Sequence, residues 1–175
     1  MKRIVANSSK CMACRACEFA CALAHADTDD LAKAVSEGAK PRIYIEAAKG
    51  FAVPLQCRHC DDAPCATVCP SGALSRENPA EPVLVDQSKC IGCAFCVEAC
   101  PFGVVVLAQC SGPGVPEGGR VVVKCDLCAS RLADGLEPAC VSSCPVSALM
   151  FQEVDQCARR SREVTAKRAA AAEAM

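Results

Sequence analysis

Sixteen of the 18 cysteines in this 175-residue chain fall into four groups of four. Successive cysteines are separated by two, two and three residues in the first and third groups, by two, four and three in the second, and by two, eleven and three in the fourth. In the last three groups a proline follows the final cysteine. The groups are, in chain order, Cys11, Cys14, Cys17 and Cys21; Cys57, Cys60, Cys65 and Cys69; Cys90, Cys93, Cys96 and Cys100; and Cys125, Cys128, Cys140 and Cys144.

The composition indicates that side-chain packing alone gives this chain little stability. Aromatic residues make up 3% of it, with five Phe, one Tyr and no Trp, so the large anchors of an ordinary core are nearly absent. Cysteine at about a tenth of the residues is the level at which disulfide or metal staples are expected.

The first residues of the chain favour metal over disulfides. Disulfide frameworks belong to secreted proteins, and residues 1–10 contain no apolar run typical of an export signal. No stretch approaches the roughly 20 apolar residues that cross a bilayer. We therefore expect a soluble, cytoplasmic chain whose cysteines are reduced and bind metal.

The spacing favours iron-sulfur clusters over zinc. A [4Fe-4S] cubane offers one coordination site on each of four irons, and the third group matches the bacterial ferredoxin run C-x2-C-x2-C-x3-C-P at every position. A short loop reaches three of the four corners, so the fourth ligand is expected from another group. Zinc sites use similar C-x2-C pairs, but they need neither the third cysteine nor the Cys-Pro step, so zinc remains the weaker alternative.

Several sequence segments that contain the cysteines resemble those of a known family. Residues 57–65, 124–128 and 138–145 are similar to the four-cluster polyferredoxin subunits of complex oxidoreductases. That family includes the β-subunits of dimethyl-sulfoxide-reductase-type molybdenum enzymes and the small iron-sulfur subunits that accompany carbon monoxide dehydrogenase, formate-linked hydrogenases and tungsten aldehyde oxidoreductases. The resemblance covers about residues 1 to 150 and implies four [4Fe-4S] clusters.

The resemblance also implies which cysteines share a cluster. The first and fourth groups exchange their last ligands, and so do the second and third; the one departure is that Ala22, not proline, follows Cys21. The implied sets are set A, Cys11, Cys14, Cys17 and Cys144; set B, Cys21, Cys125, Cys128 and Cys140; set C, Cys57, Cys60, Cys65 and Cys100; and set D, Cys69, Cys90, Cys93 and Cys96. We expect Cys110 and Cys157 to be free thiols.

The implied fold is α+β, with one ferredoxin-like unit inserted in another. The outer unit would comprise residues 1–56 and 111–154, the inserted unit 57–110, and a C-terminal helical tail 155–175. A short sequence motif follows each of the three Cys-Pro steps, and it predicts a turn leading into a strand. We expect two hairpins, residues 73–76 with 83–86 and 104–109 with 120–124, a flexible loop at 111–119, a strand at 42–46 packed beside the others, and a weak helix at 30–39.

The expected function is electron transfer, with no catalytic residues in this chain. Sixteen cysteines fill all iron corners, and no dinucleotide-binding or phosphate-binding loop is present. A zinc-knuckle nucleic-acid protein is the main competing class, but a net charge of −1 and few aromatics argue against it. A free-standing reductase is a third class, without an evident pocket.

The partner is expected to be a catalytic oxidoreductase subunit, with a second redox subunit or carrier as the other electron partner. Short length and a helical tail favour a tungsten or molybdenum pterin enzyme, in particular an aldehyde oxidoreductase. Carbon monoxide dehydrogenase, formate dehydrogenase and hydrogenase complexes are the alternatives. The tail either is solvated or docks on a subunit, including a second copy of this chain.

Charged residues beside the cysteines are candidates for offsetting the negative charge of the clusters. Four oxidised clusters with their thiolates would take the net charge from −1 to about −9, so nearby cations are expected to offset it or else to be solvated. The candidates are Arg15, Arg58, Lys89, Lys124 and Arg131. We expect His59 to hydrogen-bond near its cluster and His25 to be structural.

Overall fold

The computed structural model describes residues 2–78, 81–109 and 119–173 of the chain. Its eight strands are β1 Lys2–Ala6, β2 Ile43–Ala48, β3 Phe51–Gln56, β4 Leu74–Ser75, β5 Leu84–Val85, β6 Val106–Gln109, β7 Arg120–Val123 and β8 Leu149–Glu153. Its α-helices are α1 Ala16–Leu23, α2 Leu31–Ser36, α3 Pro64–Thr67, α4 Phe95–Glu98, α5 Ala129–Ala133, α6 Ala139–Ser142 and α7 Val154–Glu173. The expected mixture of short helices and strands is confirmed.

The strands form four separate antiparallel pairs: β1 with β8, β2 with β3, β4 with β5, and β6 with β7. The two predicted hairpins are confirmed as β4–β5 and β6–β7, and β4, β6 and β8 each follow a Cys-Pro phrase as the repeat predicts. Most of the loop predicted at 111–119 lies outside the described residues. The strand predicted at 42–46 is present, but it pairs with β3 in a hairpin of its own rather than lying beside the others.

The pairing of β1 with β8 joins the start of the chain to residues near its end. Ile4 lies opposite Phe151 and Ala6 lies opposite Leu149. The pair is extended by a hydrogen bond from the Asn7 amide to the Ala148 carbonyl, 2.8 Å long. The first and fourth cysteine groups, which follow β1 and precede β8, are thereby brought near each other.

Two separate cores pack around the cysteines. The first core combines aliphatic residues such as Ile4 and Ile43 with cysteines of the first and fourth groups. The second combines residues such as Val83 and Val122 with cysteines of the second and third groups. Each core is small and has few large side chains, as the composition predicts.

The two helical segments predicted outside the cysteine groups are present. Helix α2 begins after Asp30, whose carboxylate accepts hydrogen bonds from the amides of Ala32 and Lys33 at 2.8 and 3.2 Å and so caps the helix. Helix α7 runs for 20 residues, and the side chains described along it are exposed except that of Cys157. Within the described residues, no helix combines the length and apolarity needed to span a membrane.

Candidate metal centres

Three cavities of similar size are each lined by four cysteines. They have empty volumes of about 300, 310 and 340 Å³. In every case three cysteines come from one group and the fourth is the last cysteine of another. The cavities contain, respectively, Cys69, Cys90, Cys93 and Cys96; Cys11, Cys14, Cys17 and Cys144; and Cys57, Cys60, Cys65 and Cys100. These are sets D, A and C.

Of the four remaining cysteines of the groups, Cys21, Cys125 and Cys140 belong to the first core. Cys21, Cys125, Cys128 and Cys140 are all buried, with 4 to 7% of each residue exposed. The other three thiols, and that of Cys17 in set A, lie close enough to Cys140 to raise its pKa. The structure therefore brings the members of set B together as well. Iron ligation by the four sets stays a prediction.

The loop between the first two cysteines of every group has the same unusual conformation. The residue two positions after the first cysteine adopts a left-handed backbone in all four groups, with φ of 59° at Ala13, 49° at His59, 70° at Gly92 and 60° at Leu127. For residues other than glycine this conformation costs about 1 kcal/mol or more. The same strained conformation in all four groups indicates that it is required, and here it bends each loop around the cysteine thiols.

The curled loops turn backbone amides toward sulfur. The amide of His59 donates to Cys57 Sγ at 3.4 Å, and that of Leu127 donates to Cys125 Sγ at 3.4 Å. More distant segments do the same: the amide of Val122 donates to Cys90 Sγ at 3.3 Å. Amides that point at sulfur stabilise a thiolate, which is the form that binds metal.

Without a cation, the buried thiols would be protonated at neutral pH. Burial raises the pKa of Cys17 and Cys96 to about 11 and that of Cys125 to about 12. Burial, and then the neighbouring thiols Cys21 and Cys125, also raise the pKa of Cys140. Four crowded thiols with amide donors become stable thiolates when a metal replaces their protons, so the residues present fit an iron-sulfur cluster.

A polar network that the sequence reasoning did not foresee encloses set B. His25 donates through Nδ1 to the Cys21 carbonyl at 2.7 Å and through Nε2 to Asp126 Oδ1 at 3.1 Å. Arg42 donates from its guanidinium to Asp126 Oδ2 at 2.7 Å and from its amide to Cys21 Sγ at 3.2 Å. Because both partners of the His25 ring are acceptors, the ring is an imidazolium.

The pKa values of this network agree with its hydrogen bonds. Burial alone would lower the pKa of His25, but its bonds to Asp126 and Cys21 outweigh burial and raise the pKa to about 9. Burial alone would raise the pKa of Asp126, but His25 and Arg42 hold it well below its ordinary value. His25 and Asp126, with Cys128, could in principle hold a separate metal ion, but Asp126 is already engaged by His25, Arg42 and the Cys128 amide.

His59 lies inside the protein beside set C. It is 1% exposed and lines that cavity, and its Nδ1 accepts a hydrogen bond from the Val83 amide at 3.2 Å. Burial and the nearby cations Lys124 and Arg3 lower its pKa to about 3. The ring is therefore neutral with its proton on Nε2, for which no hydrogen-bond partner is found among the described residues.

The candidate cations beside the cysteines have different surroundings. Arg15 is exposed and pairs with Glu18 at 3.0 Å, and Lys89 is exposed and pairs with Asp86 at 3.0 Å. Arg58 lies over the ring of Phe102, 5.6 Å from its centre. Arg131 donates to the Glu137 carbonyl at 3.0 Å. Lys124 differs from all of them because it is buried, with 1% exposed.

The two cysteines outside the groups have no place in the four sets. Cys157 lies on α7, where its sulfur accepts a hydrogen bond from Gln152 Nε2 at 2.9 Å. Cys110 lies outside the described residues. Both stay predicted free thiols.

The known proteins that this chain is similar to are iron-sulfur and electron transfer proteins. A family model described as a 4Fe-4S dicluster domain matches residues 48–154. The electron transport protein HydN of Escherichia coli K12 is 40% identical over 167 residues, which cover 91% of this chain and 93% of HydN. An iron-sulfur protein of Rhodospirillum rubrum is 36% identical, covering 94% of this chain and 88% of its own length. The thiosulfate reductase electron transfer subunit PhsB of Salmonella typhi is 39% identical, covering 86% and 74%.

Proposed function

Because this chain belongs to the 4Fe-4S dicluster domain family of iron-sulfur proteins, we propose that it is an electron-transfer subunit of a multi-subunit oxidoreductase. We propose further that it carries four [4Fe-4S] clusters and is not itself catalytic. The names of the relatives HydN and PhsB describe electron transport and electron transfer, which supports the first part of this proposal.

Sets A, B, C and D are the proposed ligands. The observation that supports them most strongly is that each cavity is lined by three cysteines of one group and the last cysteine of another, which is the exchange of ligands found in two-cluster ferredoxins. The burial of all four cysteines of set B, three of them in the first core, supports a fourth site of the same kind.

The chain's own residues hold the ligands and shield them. The left-handed loops curl around the thiols, the amides of His59, Leu127 and Val122 stabilise sulfur as thiolate, and the two small cores bury some of the cysteines of every set. When bound, [4Fe-4S] clusters supply one-electron transfer over a wide range of potentials. With four cysteines for every cluster, no iron corner is left for a substrate.

The proposed organisation is one ferredoxin-like unit inserted in another. The pairing of β1 with β8 and the first core, which contains cysteines of the first and fourth groups, support an outer unit made from both ends of the chain. The second core, with cysteines of the second and third groups, supports an inserted unit. The boundaries proposed are residues 1–56 with 111–154, and 57–110.

The catalytic partner that we favour is a tungsten or molybdenum pterin enzyme, with an aldehyde oxidoreductase as the specific candidate. The exposed helix α7, which offers a surface for joining subunits, supports this choice. Carbon monoxide dehydrogenase, formate dehydrogenase and hydrogenase complexes are the alternative partners. The relative PhsB, whose name assigns it to thiosulfate reductase, supports the general idea of a catalytic partner.

Anaerobic purification of the native complex tests the assignment. The chain carries an affinity tag, and the companion chains are identified by mass spectrometry together with tungsten, molybdenum and nickel. We expect a large oxidoreductase subunit with tungsten or molybdenum, and no turnover of its substrate by the isolated small chain. Substrate turnover by the isolated chain would contradict the proposal. Nickel would move the partner to carbon monoxide dehydrogenase or hydrogenase, and the sequence of the companion chain distinguishes formate dehydrogenase from an aldehyde oxidoreductase.

A further inference from the structure

Three lysines directly precede the first cysteine of a group, but only one of them is buried. Lys10 and Lys89 are exposed next to Cys11 and Cys90, whereas Lys124, next to Cys125, is 1% exposed. Equivalent places in the repeated cysteine pattern therefore carry a solvated charge twice and an internal charge once.

The ammonium of Lys124 is bonded only to neutral groups in the described part of the chain. Its Nζ donates to the carbonyl of Val83 and, at 2.8 Å, to the carbonyl of Cys125. Among the residues that the structure describes, no carboxylate forms an ion pair with it. A buried ammonium is costly unless a negative charge compensates it, so Lys124 requires anions other than Asp or Glu.

The hydrogen bonds of Lys124 place it between two of the cysteine sets. Cys125 belongs to set B. Val83 lines the cavity of set C, and its amide donates to His59, which lines the same cavity.

We propose that Lys124 is the internal counter-ion of sets B and C and raises the reduction potentials of the clusters bound there. The inference rests on the proposed function, because it takes the cysteines of both sets to be thiolates around clusters. A cluster with its four thiolates is negative, and reduction adds one further negative charge. A fixed cation nearby, shielded from solvent, stabilises the reduced form more strongly than an exposed cation at the same distance.

Lys124→Met tests this proposal, because methionine keeps an unbranched apolar stem and removes the charge. Lys89→Met is the matched control: Lys89 occupies the same position before the third group, but its side chain is 61% exposed and its charge is screened by water. The measurement is an anaerobic redox titration followed by electron paramagnetic resonance, after iron analysis of each sample.

We expect Lys124→Met to keep about 16 irons and to shift two of the four midpoint potentials to more negative values, while Lys89→Met leaves all four in place. Combination with Cys144→Ser, which removes the cluster of set A, should leave both shifts present. Four unchanged potentials in fully loaded Lys124→Met, or equal shifts in Lys89→Met, would overturn the proposal.

If Lys124→Met does not retain its clusters, two further variants test the proposal. Lys124→Gln keeps a hydrogen-bond donor without charge and is titrated in the same way if it retains iron. If both neutral variants lose iron, Lys124→Arg decides: retained iron supports a required charge, whereas loss in Lys124→Arg as well assigns Lys124 to packing and overturns the proposal. Absence of clusters in the unsubstituted protein and in Lys89→Met would instead contradict the proposed function.

Discussion

His25 and Asp126 form a hydrogen-bonded ion pair across 101 positions of the chain, with 3.1 Å between Nε2 and Oδ1. His25 follows the first cysteine group, and Asp126 lies between two cysteines of the fourth. The pair therefore ties together the two segments that supply set B. Arg42 adds a second cation on the other carboxylate oxygen at 2.7 Å, so Asp126 joins three separate segments of the chain.

Asp126→Asn should lower the stability of the protein, because it weakens the contacts between the segments that supply set B. An amide nitrogen can no longer accept from both cations, and hydrogen bonds to charged groups are worth about 1.5 to 3 kcal/mol each. We expect the visible absorption of the loaded protein to be lost at a clearly lower denaturant concentration. The control is Asp86→Asn, because Asp86 pairs with the exposed Lys89; an equal loss of stability in both variants would contradict the role of the network.

The exchange of ligands between groups predicts which cysteine substitutions remove the same cluster. Cys21→Ser and Cys140→Ser belong to one set, so each variant and the double variant should hold about 12 irons instead of about 16. Cys21→Ser combined with Cys144→Ser belongs to two sets and should hold about 8. Iron analysis of anaerobically purified variants measures this, and a double variant of Cys21 and Cys140 with about 8 irons would refute the pairing.

The cysteines outside the groups should be dispensable for cluster binding. Cys157→Ser replaces the sulfur on α7 that accepts a hydrogen bond from Gln152 of β8, and we expect unchanged iron content and an unchanged paramagnetic spectrum. Cys110→Ser should behave in the same way. A variant of either residue that loses about four irons would identify that cysteine as a ligand and would require a different set.

Gly92 should be much less tolerant of substitution than Gly103. Both have a left-handed backbone, with φ of 70° and 63°, but a Cβ on Gly92 would lie 2.7 Å from the Arg120 carbonyl oxygen, whereas none of the surrounding atoms comes within 4 Å at Gly103. Gly103→Ala pays only the backbone cost of about 1 kcal/mol. Gly92→Ala must also displace β7, so the Gly92→Ala variant should lose its visible absorption at a lower temperature than the Gly103→Ala variant. Equal midpoint temperatures for the two variants would contradict this prediction.

Local patterns predicted much of this structure. The cysteine groups, the repeat after Cys-Pro and the alternation of apolar residues identified β4 to β7 and the capped helix α2, because each depends on residues close together in the chain. The pairing of β1 with β8 was missed, since residues 2–6 carry no signal that names a partner more than 140 residues away.

Backbone strain and buried charge were harder to foresee. Ala13 and Leu127 adopt the left-handed conformation that sequence reasoning reserves for glycine, because wrapping a set of thiols outweighs the local preference. The burial of Lys124 did have a signal: it follows the apolar residues Val121, Val122 and Val123, whereas Lys10 and Lys89 follow serine. The position of Asp126 between two cysteines gave no indication of its partners.

Metal and sulfide analysis of the anaerobically purified chain, combined with paramagnetic resonance of the dithionite-reduced sample, tests the central claim most directly. The account predicts a brown protein with about 16 irons and as many inorganic sulfides, negligible zinc, and low-temperature signals from reduced clusters. A colourless protein with zinc in the cysteine sets, and no signal after reduction, would contradict it.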